Sequence, residues 1–278
     1  MRYNLTGLSI SSTAGQIETY DQLGGQGRVW NKALAIPAHL NQWGGPWASI
    51  EYVSIDPIRE GVISSVGTHC QQTDEIYYLL SGSGVLTTNG QELMISAGWL
   101  SFAPRGTVHS IRNTSPKESL TFLVVELQAQ EAELLPVLMR LTALMEPTAC
   151  IPPMRVAGKP ICPRSVTIPL QEIFSGPWGA FSVLELPPGA RLEDYCDEHA
   201  DQLLLFNGFT SAFVTTCSPT EPGEKAEEIA VHGMGEEYQC LLVPPGVPCR
   251  LENRASGNYP ASLIHLTVPR KKESSTHA

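Results

Sequence analysis

Two stretches of the sequence decide the fold, GTHCQQTDEIYYLLSG at residues 67–82 and GWLSFAPRGTVHSIRN at residues 98–113. Each contains a histidine, glycines at turn positions and a run of apolar residues. Between them, Asn89-Gly90 is a strong signal for a β-hairpin turn. Strands this short and this regularly punctuated predict an antiparallel β-sandwich or β-barrel.

Four side chains in these stretches are candidate metal ligands. Alternate residues of a strand share a face, so His69 and Gln71 point the same way, and Glu75 can return to that interior across a bend. His109 must arrive from another strand, after a Pro-x-Gly turn. Two imidazoles, a carboxylate and an amide oxygen with open positions suit Fe(II), Mn(II), Ni(II) or Zn(II). Each residue alone would be an ordinary polar side chain, and their joint spacing favours one metal site inside a barrel.

Three neighbours of these ligands have predicted roles of their own. Alternation places Cys70 on the opposite face, as a core thiol. Asp74 either orients a ligand or faces solvent. Tyr77 shares parity with Glu75, so we expect it to line the pocket, and we name it as a candidate catalytic residue.

Composition and charge narrow the class of protein. The 278 residues are enough for two domains. The chain is 42% hydrophobic and 17% charged, with 24 Gly and 22 Pro, which favours short strands over long helices. Its net charge of −10 leaves no electrostatic footprint for nucleic acid or an anionic membrane surface, so we expect neither as a partner.

Cysteine usage predicts the compartment. The seven cysteines are scattered and contain no Cys-x-x-Cys pair, which favours reduced thiols over a disulfide framework or a zinc knot. The first residues lack the apolar core of a signal peptide, and no apolar run has the length of a membrane span. We therefore expect a cytoplasmic protein.

The chain divides into five predicted segments. Short strands are expected near Arg28–Ile36, and the helical spacing of apolar residues in Glu131–Met145 predicts a helix. The segments are an N-terminal arm at 1–44, a first barrel at 45–127 with the metal site, a helix and Pro-rich linker at 128–165, a second barrel at 166–269 and a disordered tail at 270–278.

An internal repeat supports the second barrel. Gly45-Pro46-Trp47 recurs as Gly176-Pro177-Trp178, each time before an apolar strand. The segment 104–113 recurs at 244–253. Two anchors in the same order favour a duplicated domain over chance likeness.

The two opening stretches resemble the sequence motifs of the cupin superfamily. In the first motif Gln71 stands where the family has a second histidine, and the leading glycine is not kept at its spacing; the second motif is matched in full. The resemblance covers about 45–127 and, through the repeat, 176–268. It implies an all-β fold of two cupin-type antiparallel β-barrels (double-stranded β-helix or jelly roll) in tandem, a bicupin. The matching residues are His69, Glu75 and Gly82 in the first motif and Gly98, Pro104, Gly106, His109 and Asn113 in the second.

Carried over residue by residue, the resemblance makes His69, Gln71, Glu75 and His109 the metal ligands. The amide oxygen of Gln71 is a neutral and weaker donor than imidazole. It lowers the expected affinity but leaves a 2-His-1-carboxylate set intact.

The second barrel departs further from the family pattern. Aligned on Gly208 and Gly82, its ligand positions hold Tyr195, Asp197, Asp201 and Cys249, a poor set for a divalent metal. We interpret this barrel as a degenerate cupin retained for packing and for covering or assembling the first. A slipped register, which offers His199 in place of Tyr195, is the alternative.

For function, the resemblance implies first a metal-dependent enzyme that acts on a small organic molecule, most of all a non-haem Fe(II) dioxygenase. Mn, Ni or Zn are alternative metals. Non-redox isomerase, cyclase, decarboxylase or lyase chemistry is the second hypothesis, and a non-enzymatic small-molecule-binding cupin is the third. A homodimer is expected by analogy with other such barrels.

Overall fold

The computed structural model describes most of the chain. The described residues are 2–14, 18–19, 23–35, 46–128, 137–140, 146–147, 154–156, 159–161, 164–173, 177–192, 195–207, 210–233, 237–255 and 260–270. They fall into two compact units: Gly15–Leu40 with Pro46–Leu144, and Met1–Ala14, Asn41–Gly45 with Met145–Ala278. We call them the N-terminal unit and the C-terminal unit.

The regular elements of the described residues are almost all strands. The first twelve strands are β1 (Ser9–Ser12), β2 (Glu18–Thr19), β3 (Val29–Ala35), β4 (Trp47–Ile55), β5 (Ser65–His69), β6 (Thr73–Ser81), β7 (Ser83–Thr88), β8 (Gln91–Ser96), β9 (Trp99–Ala103), β10 (His109–Asn113), β11 (Leu120–Gln128) and β12 (Val137–Arg140). The remaining elements are β13 (Glu146–Pro147), β14 (Met154–Val156), β15 (Lys159–Ile161), β16 (Arg164–Pro169), α1 (Leu170–Ile173), β17 (Ala180–Leu186), β18 (Ala200–Phe206), β19 (Thr210–Cys217), β20 (Glu227–His232), β21 (Gln239–Val243), β22 (Cys249–Asn253) and β23 (Ala261–Pro269).

The N-terminal unit packs two antiparallel sheets against each other. One has the order β12-β9-β6-β11-β4-β3-β2 and the other β5-β10-β7-β8. The central strand β11 is apolar and buried along almost its whole length, as expected for a strand covered on both faces. Leu79, Leu86 and Phe122 from both sheets meet in one core. This confirms the antiparallel β-barrel class that the sequence predicted.

The turn at Gly82 joins the two sheets of this unit. Gly82 has a φ of 77°, a backbone conformation that glycine adopts without steric cost. A Cβ at this position would collide with the carbonyl oxygen of Ser119. The glycine that closes the first motif is therefore required by the backbone.

The C-terminal unit repeats this plan. Its sheets have the orders β1-β21-β18-β23-β17-β16-β13 and β20-β19-β22, and Leu204, Leu241 and Leu263 belong to its core. The side chain of Asn253 donates to the carbonyl of Leu186, as Asn113 donates to the carbonyl of Ile55 in the N-terminal unit. The duplicated domain predicted from the repeat is thus present in the fold.

Two segments differ from the sequence-based expectation. Residues Val137–Arg140 of the predicted helix form β12, which pairs with β9; a free sheet edge and the packing of Leu138 against the core override a helical apolar spacing. The rest of that helix prediction lies outside the described residues, as does the tail from residue 271. The second segment is the predicted N-terminal arm at 1–44, whose strands belong to the sheets of the two units. Its β1 pairs with β21, and its expected strand β3 pairs with β4.

Candidate metal centre

The four predicted ligands and Tyr77 surround one small cavity in the N-terminal unit. Glu75 and Tyr77 come from β6, and His109 lies opposite His69 where β10 pairs with β5. The two imidazole rings are 4.3 Å apart between centroids. The cavity has a volume of about 30 Å³, enough for an ion with one or two waters.

Both imidazoles are held by the backbone in the same way. Nδ1 of His69 lies 2.8 Å from the carbonyl oxygen of Gly67, and Nδ1 of His109 lies 2.9 Å from that of Thr107. Because a carbonyl oxygen only accepts, each Nδ1 carries the hydrogen and each Nε2 keeps its lone pair. This is the arrangement that orients metal-binding histidines.

Two oxygen atoms complete a donor set at the cavity. Gln71 Oε1 and Glu75 Oε1 are buried, and neither has a hydrogen-bond partner. An unsatisfied buried polar atom is costly, and a cation would satisfy both. The donors present therefore fit a divalent metal ion.

Tyr77 lies between the ligands in this conformation. Its hydroxyl is 2.6 Å from Glu75 Oε2 and 2.8 Å from His109 Nε2, while those two ligand atoms are 3.3 Å apart. In the part of the chain that the structure describes, no three imidazole, thiol or carboxylate groups have the spacing of a closed metal site. If His109 and Glu75 bound a metal ion, their hydrogen bonds with the Tyr77 hydroxyl would have to break.

Burial sets the protonation of the two central groups. Burial raises the pKa of Glu75 to about 9. The hydrogen bond from Tyr77 lowers this pKa, and the nearby carboxylates of Glu126 and Glu51 raise it by smaller amounts. Burial and then the neighbouring His69 lower the pKa of His109 to about 4. At neutral pH the protein without metal therefore holds a protonated Glu75 and a neutral His109.

Two further carboxylates line the cavity, and neither belongs to the two sequence motifs. Glu51 lies on β4 and Glu126 on β11. Burial raises the pKa of Glu51, and Thr73 donates to Glu126. The signal was available, because Glu51 and the buried Val53 are two residues apart on β4 and so share a face, but strand alternation alone does not show which interior position faces a cavity.

The neighbouring residues have mixed outcomes. Asp74 is buried rather than facing solvent, and its Oδ1 accepts the backbone N–H of Arg105, 2.9 Å away, in the turn before His109. The prediction of a core position for Cys70 is wrong. Strand β5 ends at His69, so alternation does not extend to Cys70, which is exposed.

Strand pairing fixes the equivalent positions in the C-terminal unit. Tyr195 bridges to Cys249 as His69 pairs with His109. The backbone N–H of Gly246 donates to the carbonyl of Asp197, as that of Gly106 donates to the carbonyl of Gln71. Three of the four equivalences drawn from the sequence therefore agree with the register.

The fourth equivalence was out by one residue. Gln202 pairs with Thr267 on β23 as Glu75 pairs with Glu126 on β11, so Gln202, and not Asp201, stands at the Glu75 position. The loop before β18 is one residue longer than the loop before β6, which the motif alignment could not show. Asp201 instead pairs with Arg270 at 2.7 Å, and His199 is exposed, so the slipped register does not assemble a site.

The comparisons with known proteins agree with this geometry. Residues 61–126 match the cupin domain family. Over 63 residues, 22% of this chain, the sequence is 46% identical to the oxalate-binding protein of Thermotoga maritima, and the match spans 51% of that protein. The N-terminal unit therefore contains a cupin domain, as the two motifs predicted.

Solved structures share the fold of both units. Protein Ylba from E. coli is similar at a TM-score of 0.64 and 12% identity, over 97% of this chain and 94% of that chain. A structure of Bacillus subtilis oxalate decarboxylase concerned with its Mn(II) centres is similar at a TM-score of 0.60 and 13% identity, over 95% of this chain and 78% of that chain. At such identities the likeness shows the fold alone. Within the described residues, no helix has the length and apolar character needed to cross a membrane.

Proposed function

We propose that the N-terminal unit binds one divalent metal ion and, through it, a small carboxylic acid of the oxalate class. One observation carries the proposal: the imidazoles of His69 and His109 and the unpartnered oxygens of Gln71 and Glu75 line one small cavity. His69, Glu75 and His109 would hold the ion, with Gln71 as a weaker fourth ligand. When bound, the ion supplies positive charge that holds and polarises a carboxylate.

The cavity itself supports a small acidic ligand that depends on the metal. Its volume of about 30 Å³ is far below the roughly 300 Å³ of the smallest pockets for drug-sized ligands. Among the described residues that line it there is no lysine or arginine, while Glu51, Glu75 and Glu126 are carboxylic acids. An anion would therefore have only the metal as a positive partner. The oxalate-binding relative, which is similar over 63 residues of this chain, supports the same ligand class.

Tyr77 is the residue best placed to move a proton at this site. Its hydroxyl contacts both Glu75 and His109, and both contacts would be given up when those groups hold an ion. The hydroxyl would then face the cavity as a donor to a bound carboxylate, or as a general acid or base. This is the catalytic part that the sequence suggested for Tyr77.

A second candidate is a dioxygenase that uses Fe(II). The observation in its favour is the donor set of two histidines and one carboxylate, which is typical of non-haem iron oxygenases. The fold neighbour with Mn(II) centres makes Mn(II) the metal to test beside Fe(II), before Ni(II) and Zn(II). Measurement of O2 consumption by the metal-loaded protein with oxalate separates the two candidates, because a dioxygenase consumes O2 and metal-dependent binding of oxalate does not.

The first experiment measures the metal content of the purified protein after reloading with Mn(II) or Fe(II). We expect one equivalent in the wild type and a loss of about tenfold or more in His109→Ala. His199→Ala is the matched control, since His199 is an exposed histidine outside the cavity. Equal metal content in His109→Ala and wild type would refute the assignment of the site.

The second experiment tests the ligand class by calorimetric titration with oxalate. Binding is expected with metal-loaded protein and not after treatment with EDTA. If the metal binds as expected and oxalate does not, the site stands and the ligand class is wrong.

A further inference from the structure

The C-terminal unit contains a cavity that is much larger than the one at the candidate metal centre. Its volume is about 420 Å³, against about 30 Å³ at the candidate metal centre. It occupies the equivalent place between the two sheets, because β18 and β23 line it as β6 and β11 line the smaller one. The volume lies within the range of pockets for small organic ligands, roughly 300–1,000 Å³.

Substitutions at equivalent positions explain the difference in volume. Leu204 and His265 pair with each other as Tyr77 and Val124 do. The hydroxyl and ring that fill the first cavity are thus replaced by a shorter leucine. Cys249, at the position of His109, removes a second ring.

Three further substitutions remove every carboxylate from the cavity wall. Ser182 pairs with His265 as Glu51 pairs with Val124, so serine replaces one glutamate. Gln202 and Thr267 replace the other two. No charged residue is among the described residues that line this cavity. Burial also lowers the pKa of His265 to about 4, against a smaller opposing effect of Asp197, so this imidazole is neutral at neutral pH.

Three polar atoms without hydrogen-bond partners belong to residues that line this uncharged space. Gln202 is 0% exposed, and neither its Oε1 nor its Nε2 has a hydrogen-bond partner. His265 Nε2 is also buried without one. A buried primary amide whose N–H donor and carbonyl acceptor both lack hydrogen bonds destabilises the folded protein. A ligand with an adjacent donor and acceptor would satisfy both atoms of Gln202 at once.

We propose that this cavity binds a neutral organic molecule with an apolar body and a carboxamide or lactam edge, which pairs with the side-chain amide of Gln202. Leu184, Leu251 and Leu263 surround the apolar body. His265 offers a second polar contact. The site needs no metal and is independent of the proposed metal centre, so the C-terminal unit has a binding function of its own.

The test uses the full chain in EDTA, with benzamide and δ-valerolactam as probes followed by ligand-observed NMR and calorimetry. Benzoate is the charged control, and acetophenone has a similar shape to benzamide but no N–H donor. We expect binding of the two amides, weakened by about tenfold or more in Gln202→Leu. Gln171→Leu is the matched control, because Gln171 is an exposed glutamine of the same unit and does not line the cavity.

A second variant keeps the test decisive if Gln202→Leu does not fold. Leu204→Tyr places in this cavity the residue that fills the other one, and we expect it to abolish amide binding. The proposal is overturned if neither amide binds to the wild type at millimolar concentration. It is equally overturned if acetophenone binds as tightly as benzamide. It is also overturned if every folded variant, Gln202→Leu or Leu204→Tyr, binds the amides with wild-type affinity.

Discussion

The two units share one scaffold and differ in what lies between their sheets. Each clamps a loop with a buried asparagine, Asn113 or Asn253. The N-terminal cavity is small and lined by two histidines and three glutamates. The C-terminal cavity is large and uncharged. The duplicated barrel thus keeps its hydrogen-bonded frame, while its interior positions differ between an acidic candidate metal site and a neutral cavity.

The largest effect is expected where the two units are alike. Asn113 is fully buried and donates to the carbonyls of Ile55, Asp56 and Glu118. Asn113→Ala leaves these three carbonyls without their hydrogen-bond donor. We therefore expect the free energy of unfolding, measured in urea, to fall by about 3 kcal/mol. Asn253→Ala should behave similarly. The exposed Asn4→Ala is the control, and an equal effect of all three would contradict a shared clamp.

The second prediction concerns pH and the metal-free N-terminal unit. The folded-state pKa of Glu75, about 9, lies above its ordinary value of 4.5, so the folded protein binds more protons than the unfolded chain between these values. Stability therefore falls as the pH rises through this window, by about 2 kcal/mol between pH 5 and 7. Glu75→Gln should flatten this slope in urea unfolding with EDTA. A slope that is unchanged in Glu75→Gln would assign the pH dependence to other groups.

The third prediction has the opposite sign and belongs to the C-terminal unit. The folded-state pKa of His265, about 4, lies below its ordinary value of 6.5. The unfolded chain then binds more protons in acid, so stability is lost as the pH falls below 6.5, by about 2 kcal/mol at pH 5. His265→Val introduces the residue of the N-terminal unit and should remove this loss. Retention of the same acid sensitivity in the variant would refute the assignment.

The smallest effect is on thiol reactivity and leaves the fold unchanged. Cys70 is exposed, whereas Cys240 is buried and burial raises its pKa to about 12. A thiol-specific reagent should label Cys70 in the native protein and Cys240 only after unfolding, as mass spectrometry of the peptides would show. Labelling of Cys240 at the rate of Cys70 in native conditions would contradict its burial.

Much of the candidate site was predictable because its residues lie in two local motifs. His69, Glu75 and His109 meet as expected, since strand alternation and a Pro-x-Gly turn fix their directions. Glu51 and Glu126 were not predictable in the same way, because they lie on strands without a motif. The one-residue error that placed Asp201 instead of Gln202 at the Glu75 position has a similar cause. The sequence of the loop before β18 does not show which residue of β18 pairs with Thr267 on β23. The metal and the homodimer stay predictions.

The antiparallel β class, the duplication and the local spacing of the motif residues follow from the sequence, because they depend on strand periodicity and turn chemistry within short segments. Only the tertiary structure decided the register of β18, the strand at Val137–Arg140, and the closeness of Tyr77 to both Glu75 and His109. It also showed a neutral cavity where the sequence suggested only a degenerate barrel. The physical reason is that cavity shape and unpartnered polar atoms arise from side chains on strands far apart in the chain, which no local pattern records.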